Sequence, residues 1–425
     1  MALKMPWGID ILNFRRFFRG AAAAVLLLCL WMGSSAALSA EPDHIVLTWT
    51  KDPMTTQTIT WRTAAEVTFG EIRLYESFSD TTIPLPVTTL AARTSSLETS
   101  TGVMNLHSVT LNGLTPGRRY RYQVGVADTW SPEYSFRTAP LKDGGFKFLI
   151  FGDSQSSDYG VWRATLQQAY RTNPDAAFFT NVGDLVDVGQ DYAEWEAWFA
   201  GVEGVAESLP TMPLTGNHET YTPERVFSRP EFFTAQFALP DNGPDGLKGQ
   251  VYSFDYGDAH FIMLDSQEGE QRRFVPDLLE AQRVWLAADL AATQKKWRIA
   301  FIHRPLYGNK PEGVNERLRQ NFAPLFDQYH VDVVFTAHDH VVARTAPLFD
   351  GEEVEAPARG TIYAATGRSG TKTYTNVSTK EWNVFFHNPV EEPNYLVVMV
   401  NADQLRVKAV TQNGNLIDEW TVDRP

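Results

Sequence analysis

The sequence predicts a two-part α/β fold, an all-β sandwich followed by an α/β domain whose parallel or mixed sheets are covered by helices. Two patterns and one boundary support this. From Glu41 to about residue 142, "TQTITWRT", "HSVTLNGL" and "YRYQVGV" alternate apolar and polar residues, and "TPG" at 115–117 marks a turn. About seven short strands in about 100 residues without a helical period read as a sandwich. "APLKDGG" at 139–145 then reads as a linker. Beyond it strands and helices alternate. "FKFLIF" and "AAFFTNV" are strands. "VWRATLQQAY" places Val161, Trp162, Leu166, Ala169 and Tyr170 on one helical face. Leu318, Phe322, Leu325 and Phe326 fall at helical spacing before the strand "VDVVF".

At 425 residues and 43% apolar content, the chain has room for two or three domains and a large core. Residues 1–40 stand apart. Arg15, Arg16 and Arg19 precede "AAAAVLLLCLWMG" and the small-residue run "SSAALSA", the order of a secretory signal. The apolar run is short for a spanning helix, although an uncleaved anchor would use the same residues. "RRFF" fits the twin-arginine pattern in outline, with Phe14 where Ser or Thr is usual. The expected location is extracytoplasmic, periplasmic or secreted, with no stable membrane anchor after cleavage.

Cys29, the only cysteine, lies within that segment, so the mature chain has no disulfide, thiolate ligand or cysteine nucleophile. Removing Lys4, Arg15, Arg16, Arg19 and Asp10 from the whole-chain charge of −14 leaves −17. Such a body repels nucleic acid and anionic lipid, and no nucleic-acid partner is expected.

In the second part, each apolar strand ends in a ligand-type residue. "FKFLIF" runs into Gly152-Asp153-Ser154-Gln155, and "AAFFTNV" into Gly183-Asp184. "LPTMPLT" runs into Gly216-Asn217-His218-Glu219, "RIAFI" into His303-Arg304, and "VDVVFTA" into His338-Asp339-His340. The carboxyl ends of strands in such sheets border the ligand crevice. Asp153, Asp184, Asn217, His303, His338 and His340 are therefore expected at one edge. If the last segment stays extended, His338 and His340 share a face and Asp339 points away. The three preceding glycines would allow sharp turns. Taken singly, each residue has an ordinary role as a cap, a turn residue or a core histidine. Together they form an N/O donor set too large for one zinc but sufficient for two metals, which could hold both oxygens of a displacement at phosphorus. Asp184 is the candidate bridge. His44, His107, His260 and His330 are left to packing or solvent.

The order GD…GD…GNHE…H…HxH resembles the calcineurin-like metallophosphoesterases. "ITWRT", "VTLNGLTPGRRYRYQVG" and "YSFRTAP" resemble the fibronectin-III-like domain of purple acid phosphatases, and "YSFDYGDAHFIMLDS" and "QRVWLAADL" resemble that family's connecting segments. Beyond the signal-like segment at 1–40, the resemblance, which covers about residues 42–420, implies a sandwich at 41–142 and a four-layer α/β/β/α catalytic domain at 143–425. It implies Asp153, Asp184 and His340 on one metal, and Asp184, Asn217, His303 and His338 on a second. The metals would be Fe, Mn or Zn. His218 would bond the substrate phosphate or protonate the leaving alkoxide.

Two positions depart from the family. Gln155 replaces a usual histidine, as a weaker ligand. Asp187 stands where the purple enzymes carry a tyrosine, so no purple colour is expected. The expected activity is hydrolysis of a small phosphate monoester by a metal-bridging hydroxide, with a diester or nucleotide as the alternative. Arg304 and Tyr307 would hold a phosphate oxygen, unless Arg304 serves a structural ion pair. The loop 219–250 would border the pocket. A different reading is an exported binding protein whose metals are structural.

Overall fold

The structure is a computed structural model, and it describes residues 41–76, 88–141, 144–355 and 360–424. The expected signal segment and the junction at 142–143 lie outside the described residues.

Two sheets form the sandwich. One runs in the order Asp43–Thr48, Gln57–Ala64, Gly102–Leu111, Arg93–Thr99. The other runs Thr88–Ala91, Glu71–Glu76, Arg119–Val126, Thr129–Trp130, with Tyr134–Arg137 also pairing with Arg119–Val126. The alternation in "YRYQVGV" buries Tyr120, Tyr122 and Val124 against Ile59, Trp61 and Ile72. His107 is buried between Thr63 and Thr94 hydroxyls at 2.8 and 2.9 Å.

Two further sheets pack face to face in the second part. The five-stranded sheet runs Phe179–Asn181, Phe146–Phe151, Asn394–Val400, Gln404–Thr411, Leu416–Asp423. The seven-stranded sheet runs Tyr252–Tyr256, Ala259–Leu264, Trp297–Ile302, Val333–Thr336, Ile362–Thr366, Val342–Thr345, Asn383–His387. The core between them is aromatic: Phe148 stacks on Phe178 at 5.0 Å and meets Phe261 edge-on at 5.3 Å, and Phe301 stacks on Phe335 at 5.3 Å. Truncating any one of these buried rings to alanine costs about 3–5 kcal/mol.

Helix Tyr159–Thr172 starts at Asp158, whose carboxylate caps Gly160 N, and it buries Trp162, Leu166 and Ala169. Helix Glu316–Tyr329 is capped by Asn315 and buries Leu318, Phe322, Leu325 and Phe326, the four residues the spacing selects. These helices, with Tyr192–Val202 and Leu278–Ala292, complete an α/β/β/α arrangement.

Two expectations change here. "LPTMPLT" forms no regular strand: Pro210 and Pro213 lack the N–H a ladder needs. The segment makes only isolated parallel bridges, Phe179 to Thr211 and Val182 to Leu214. The sandwich covers its outer side, where Leu47 N donates to Ala206 O at 3.1 Å and Leu47 O accepts from Thr211 N at 2.8 Å. His44, left to packing or solvent, packs: its ring stacks on Phe199 at 4.2 Å. His260 is neither plain packing nor solvated, because its two ring nitrogens lie 2.7 and 2.8 Å from the carboxylates of Asp255 and Asp289.

Candidate metal centre

Phe146–Phe151 and Phe179–Asn181 in one sheet, and Trp297–Ile302 and Val333–Thr336 in the other, end at a common edge. Four of the predicted ligands then adopt left-handed backbone conformations: Asp153 (φ 42°), Asp184 (φ 51°), His338 (φ 66°) and His340 (φ 57°). Each such non-glycine residue costs on the order of 1–3 kcal/mol, and strain of this kind collects at functional sites. It also replaces the extended geometry expected for His338-Asp339-His340. The strand stops at Thr336, and two left-handed turns, not strand alternation, aim the imidazoles.

The glycines act differently from expectation as well. Only Gly183 of the three has positive φ (80°). A Cβ on Gly216 would overlap Asp184 Oδ1, and one on Gly152 would overlap Thr366 Oγ1. Their value is space for close approach.

Two groups of donor atoms result, each within 4.8 Å: Asp184, His303 and His338, and Asp153, Asp184 and His340. Asp184 belongs to both. His303 Nδ1 donates to Val182 O at 2.8 Å, and His340 Nδ1 to Lys372 O at 2.7 Å, so each ring keeps a proton on Nδ1 and turns Nε2 inward. His340 Nε2 lies 3.3 Å from Asp153 Oδ1 without hydrogen-bonding geometry. His338 Nδ1 and His303 Nε2 face each other at 3.3 Å. Asn217 Nδ2 donates to Tyr221 Oη at 3.0 Å, while buried Asn217 Oδ1 has no partner. Both amide atoms of buried Gln155 lack partners too.

Orphaned acceptors crowded onto two carboxylates and three imidazoles fit hard or borderline cations. Burial opposes charge on His303, yet Asp184 at 3.1 Å raises its pKa to about 9, so a proton stands where a cation would. Burial and neighbouring His303 hold His338 well below the ordinary value, leaving a neutral donor.

Glu219, quoted in the motif but given no role, ties the ligand loops together. Its buried carboxylate accepts from Gly216 N (2.6 Å), Leu185 N (2.7 Å), Asp184 N (2.9 Å) and Val186 N (3.3 Å). The signal was its place directly after Asn217-His218. Asp339, expected on the opposite face at the surface or behind the ligands, is buried. Its Oδ2 accepts from Asn309 N at 2.5 Å and Lys310 N at 3.3 Å. The turn carries it inward, where it fixes the loop after His303.

His218 donates Nδ1 to Asp187 O at 2.6 Å and places Nε2 3.9 Å from Asp184 Oδ2 and 3.0 Å from Lys372 Nζ. Asp187 belongs to neither donor group; its carboxylate meets Lys372 at 3.3 Å and Arg225 at 3.1 Å. Lys372 carries no sequence signal, because "GRSGTKTYT" contains no Asp, Glu, Asn or His. Arg304 forms a two-point ion pair with buried Glu270 at 2.6 and 3.0 Å, the structural alternative left open above. It also lines a cavity of about 540 Å³ with Lys310, His338 and Asp339. Tyr307 turns away from the centre: its ring packs on Tyr363 at 4.8 Å and Trp382 at 6.0 Å. In the loop 219–250, Tyr221 and Arg225 border His218 and Asp187, while Phe233 and Phe237 pack into the core.

The two parts of the chain are similar to known proteins. Residues 42–138 match the model of the purple acid phosphatase N-terminal domain, and residues 146–342 match that of the calcineurin-like phosphoesterases. Acid phosphatase type 7 of Mus musculus is 28% identical over 90% of this chain and 91% of its own length. The Homo sapiens protein of that name is 29% identical over 92% and 93%. The structure of a purple acid phosphatase from yellow lupin seeds superposes with a TM-score of 0.73 at 20% identity, covering 90% of this chain and 74% of that one; at that identity it shows the shared fold.

Proposed function

The chain belongs to the calcineurin-like metallophosphoesterases of the purple acid phosphatase kind and is a phosphatase, and from this premise we propose an exported phosphomonoesterase working at a two-metal centre. The observation that carries the reading is the Asp184 carboxylate common to two donor groups. Asp153, Asp184 and His340 would hold one ion, with Gln155 beside them. Asp184, Asn217, His303 and His338 would hold the other. When bound, such a pair supplies Lewis acidity that activates water near neutral pH and neutralises charge at a phosphoryl group. Fe, Mn and Zn all suit these donors.

The chain's own residues do the rest. Val182 O and Lys372 O fix the ring tautomers of His303 and His340. The carboxylate of Glu219 holds the Asp184 and Asn217 loops in register. The carbonyl of Asp187 directs His218 Nε2 toward the centre, where, once protonated, it donates to a phosphate oxygen or gives its proton to the leaving alkoxide. Arg304, held by Glu270, shapes the cavity beside His338. The acid phosphatase name of the mammalian relatives supports a monoester substrate.

Residues 1–40 read as an export signal, which supports extracytoplasmic location and the division 1–40, 41–142 and 143–425. Among the described residues no helix is long and apolar enough to cross a membrane.

Elemental analysis of the purified protein, paired with assays on p-nitrophenyl phosphate and bis-p-nitrophenyl phosphate, tests the proposal. Two metals per chain, a faster monoester rate and a loss of orders of magnitude in Asp184→Asn are expected. Metal-loaded protein that hydrolyses neither ester would refute it.

A further inference from the structure

We propose that Lys372 is a substrate-binding residue that makes this centre selective for phosphoric monoesters over diesters, a proposal that rests on the phosphoesterase reading above. The loop Gly367–Tyr374 follows the strand Ile362–Thr366 and contributes no ligand. Its backbone is nonetheless built into the centre. Ser369 N donates to Gly152 O at 2.7 Å, Gly370 N to Asp153 O at 3.0 Å, and Lys372 O accepts from His340 Nδ1 at 2.7 Å. From that fixed backbone the Lys372 side chain crosses the mouth of the centre to His218 Nε2 at 3.0 Å and Asp187 Oδ1 at 3.3 Å. One end thus rests on one donor group, while its ammonium stands beside the histidine that adjoins Asp184.

Three features suit that ammonium to a phosphate oxygen. It has three N–H donors, and these two contacts use two of them. Its side chain is 31% exposed, so an entering ligand can reach it. Asp187, itself held by Arg225 at 3.1 Å, keeps it over the centre. Lys310, the other nearby ammonium, is committed differently, donating to His338 O at 2.8 Å and lying 4.2 Å over the Tyr374 ring.

The selectivity follows from the ester. A monoester carries about −1.5 to −2 charge at neutral pH and three unesterified oxygens. A diester carries one charge and two such oxygens. The third oxygen of a monoester can accept a charge-assisted bond from Lys372, whereas in a diester that oxygen bears a carbon group. A hydrogen bond to a charged group is worth roughly ten- to hundredfold in equilibrium or rate.

The test compares wild type, Lys372→Met and Lys372→Arg as metal-loaded enzymes, with metal content and melting temperature checked first. Lys372→Met is expected to lose ten- to hundredfold in kcat/KM for p-nitrophenyl phosphate and less than threefold for bis-p-nitrophenyl phosphate. Calorimetric affinity for inorganic phosphate should fall at least tenfold. Lys372→Arg, which keeps the charge, should recover most of both losses. Equal losses on the two esters, or unchanged phosphate affinity, would overturn the assignment while leaving the phosphatase reading intact. A wild-type enzyme inactive on both esters would overturn both.

Discussion

Replacing His260 by glutamine should remove a pH-dependent part of the stability of this protein. His260 lies on Ala259–Leu264, far in sequence from any proposed ligand, with its side chain 7% exposed. Nδ1 is 2.7 Å from Asp255 Oδ1 and Nε2 is 2.8 Å from Asp289 Oδ2, so both nitrogens donate and the ring is an imidazolium. Asp289 is also bound by Ser253 Oγ at 2.8 Å, and Lys295 Nζ lies 3.9 Å from Asp255. Burial opposes the charge, but the two carboxylates raise the pKa from 6.5 to about 9. The folded state therefore binds the proton more tightly than the unfolded chain does. The stabilisation is complete below about pH 6.5 and is lost as pH rises through about 9. Linkage between those values gives about 2.5 kcal/mol lost from pH 7 to pH 10, an upper figure because Asp255 is half exposed and screened. For a body of this size that corresponds to roughly 3 °C in melting temperature. Melts of wild type and His260→Gln at pH 7 and pH 10 measure it, since the variant shares every other titration. The gap between the two proteins should shrink by about that amount at pH 10. A gap that does not change with pH would refute the ion-pair account and leave only packing.

Other outcomes follow from the centre itself. Glu219→Gln puts an amide N–H₂ among four backbone donors; it should destabilise the protein by about 2–4 kcal/mol and lower metal content, measured by melting and elemental analysis. Tyr221→Phe frees the Asn217 amide to rotate, and metal affinity should weaken about tenfold in a chelator competition, with the fold unchanged. Gly216→Ala drives a methyl group into Asp184 and should abolish detectable phosphatase activity, whereas the same change at solvent-facing Gly246 should leave turnover intact.

Much of this is legible in the sequence. The helical spacing of Leu318, Phe322, Leu325 and Phe326 marks a buried face because 3.6 residues per turn stack them together. The order of Asp153, Asp184, Asn217, His303, His338 and His340 was equally legible, since each follows an apolar run and the ends of such runs gather at one sheet edge. Geometry within the loops was not. Strand periodicity expects His338 and His340 to alternate out of an extended segment, but left-handed turns place them instead, because a turn is set by local φ angles that a hydrophobic pattern does not encode. Lys372 and the Glu219 staple were silent for a related reason. Their partners, His218 at 154 positions and Asp184 at 35, are distant in the chain.

Residue types alone restrict the chemistry to oxygen and nitrogen donors, with no thiolate among residues 41–425, and to a phosphoester-type order of motifs on a sandwich-plus-α/β chain. The tertiary structure decided which groups act together. It paired Arg304 with Glu270, turned Tyr307 aside, buried Asp339 between His338 and His340 and brought Lys372 across to His218. The physical reason is range. Residue type and periodicity report on neighbours a few positions away, whereas hydrogen bonds and ion pairs at about 3 Å depend on how distant segments pack, which no local pattern records.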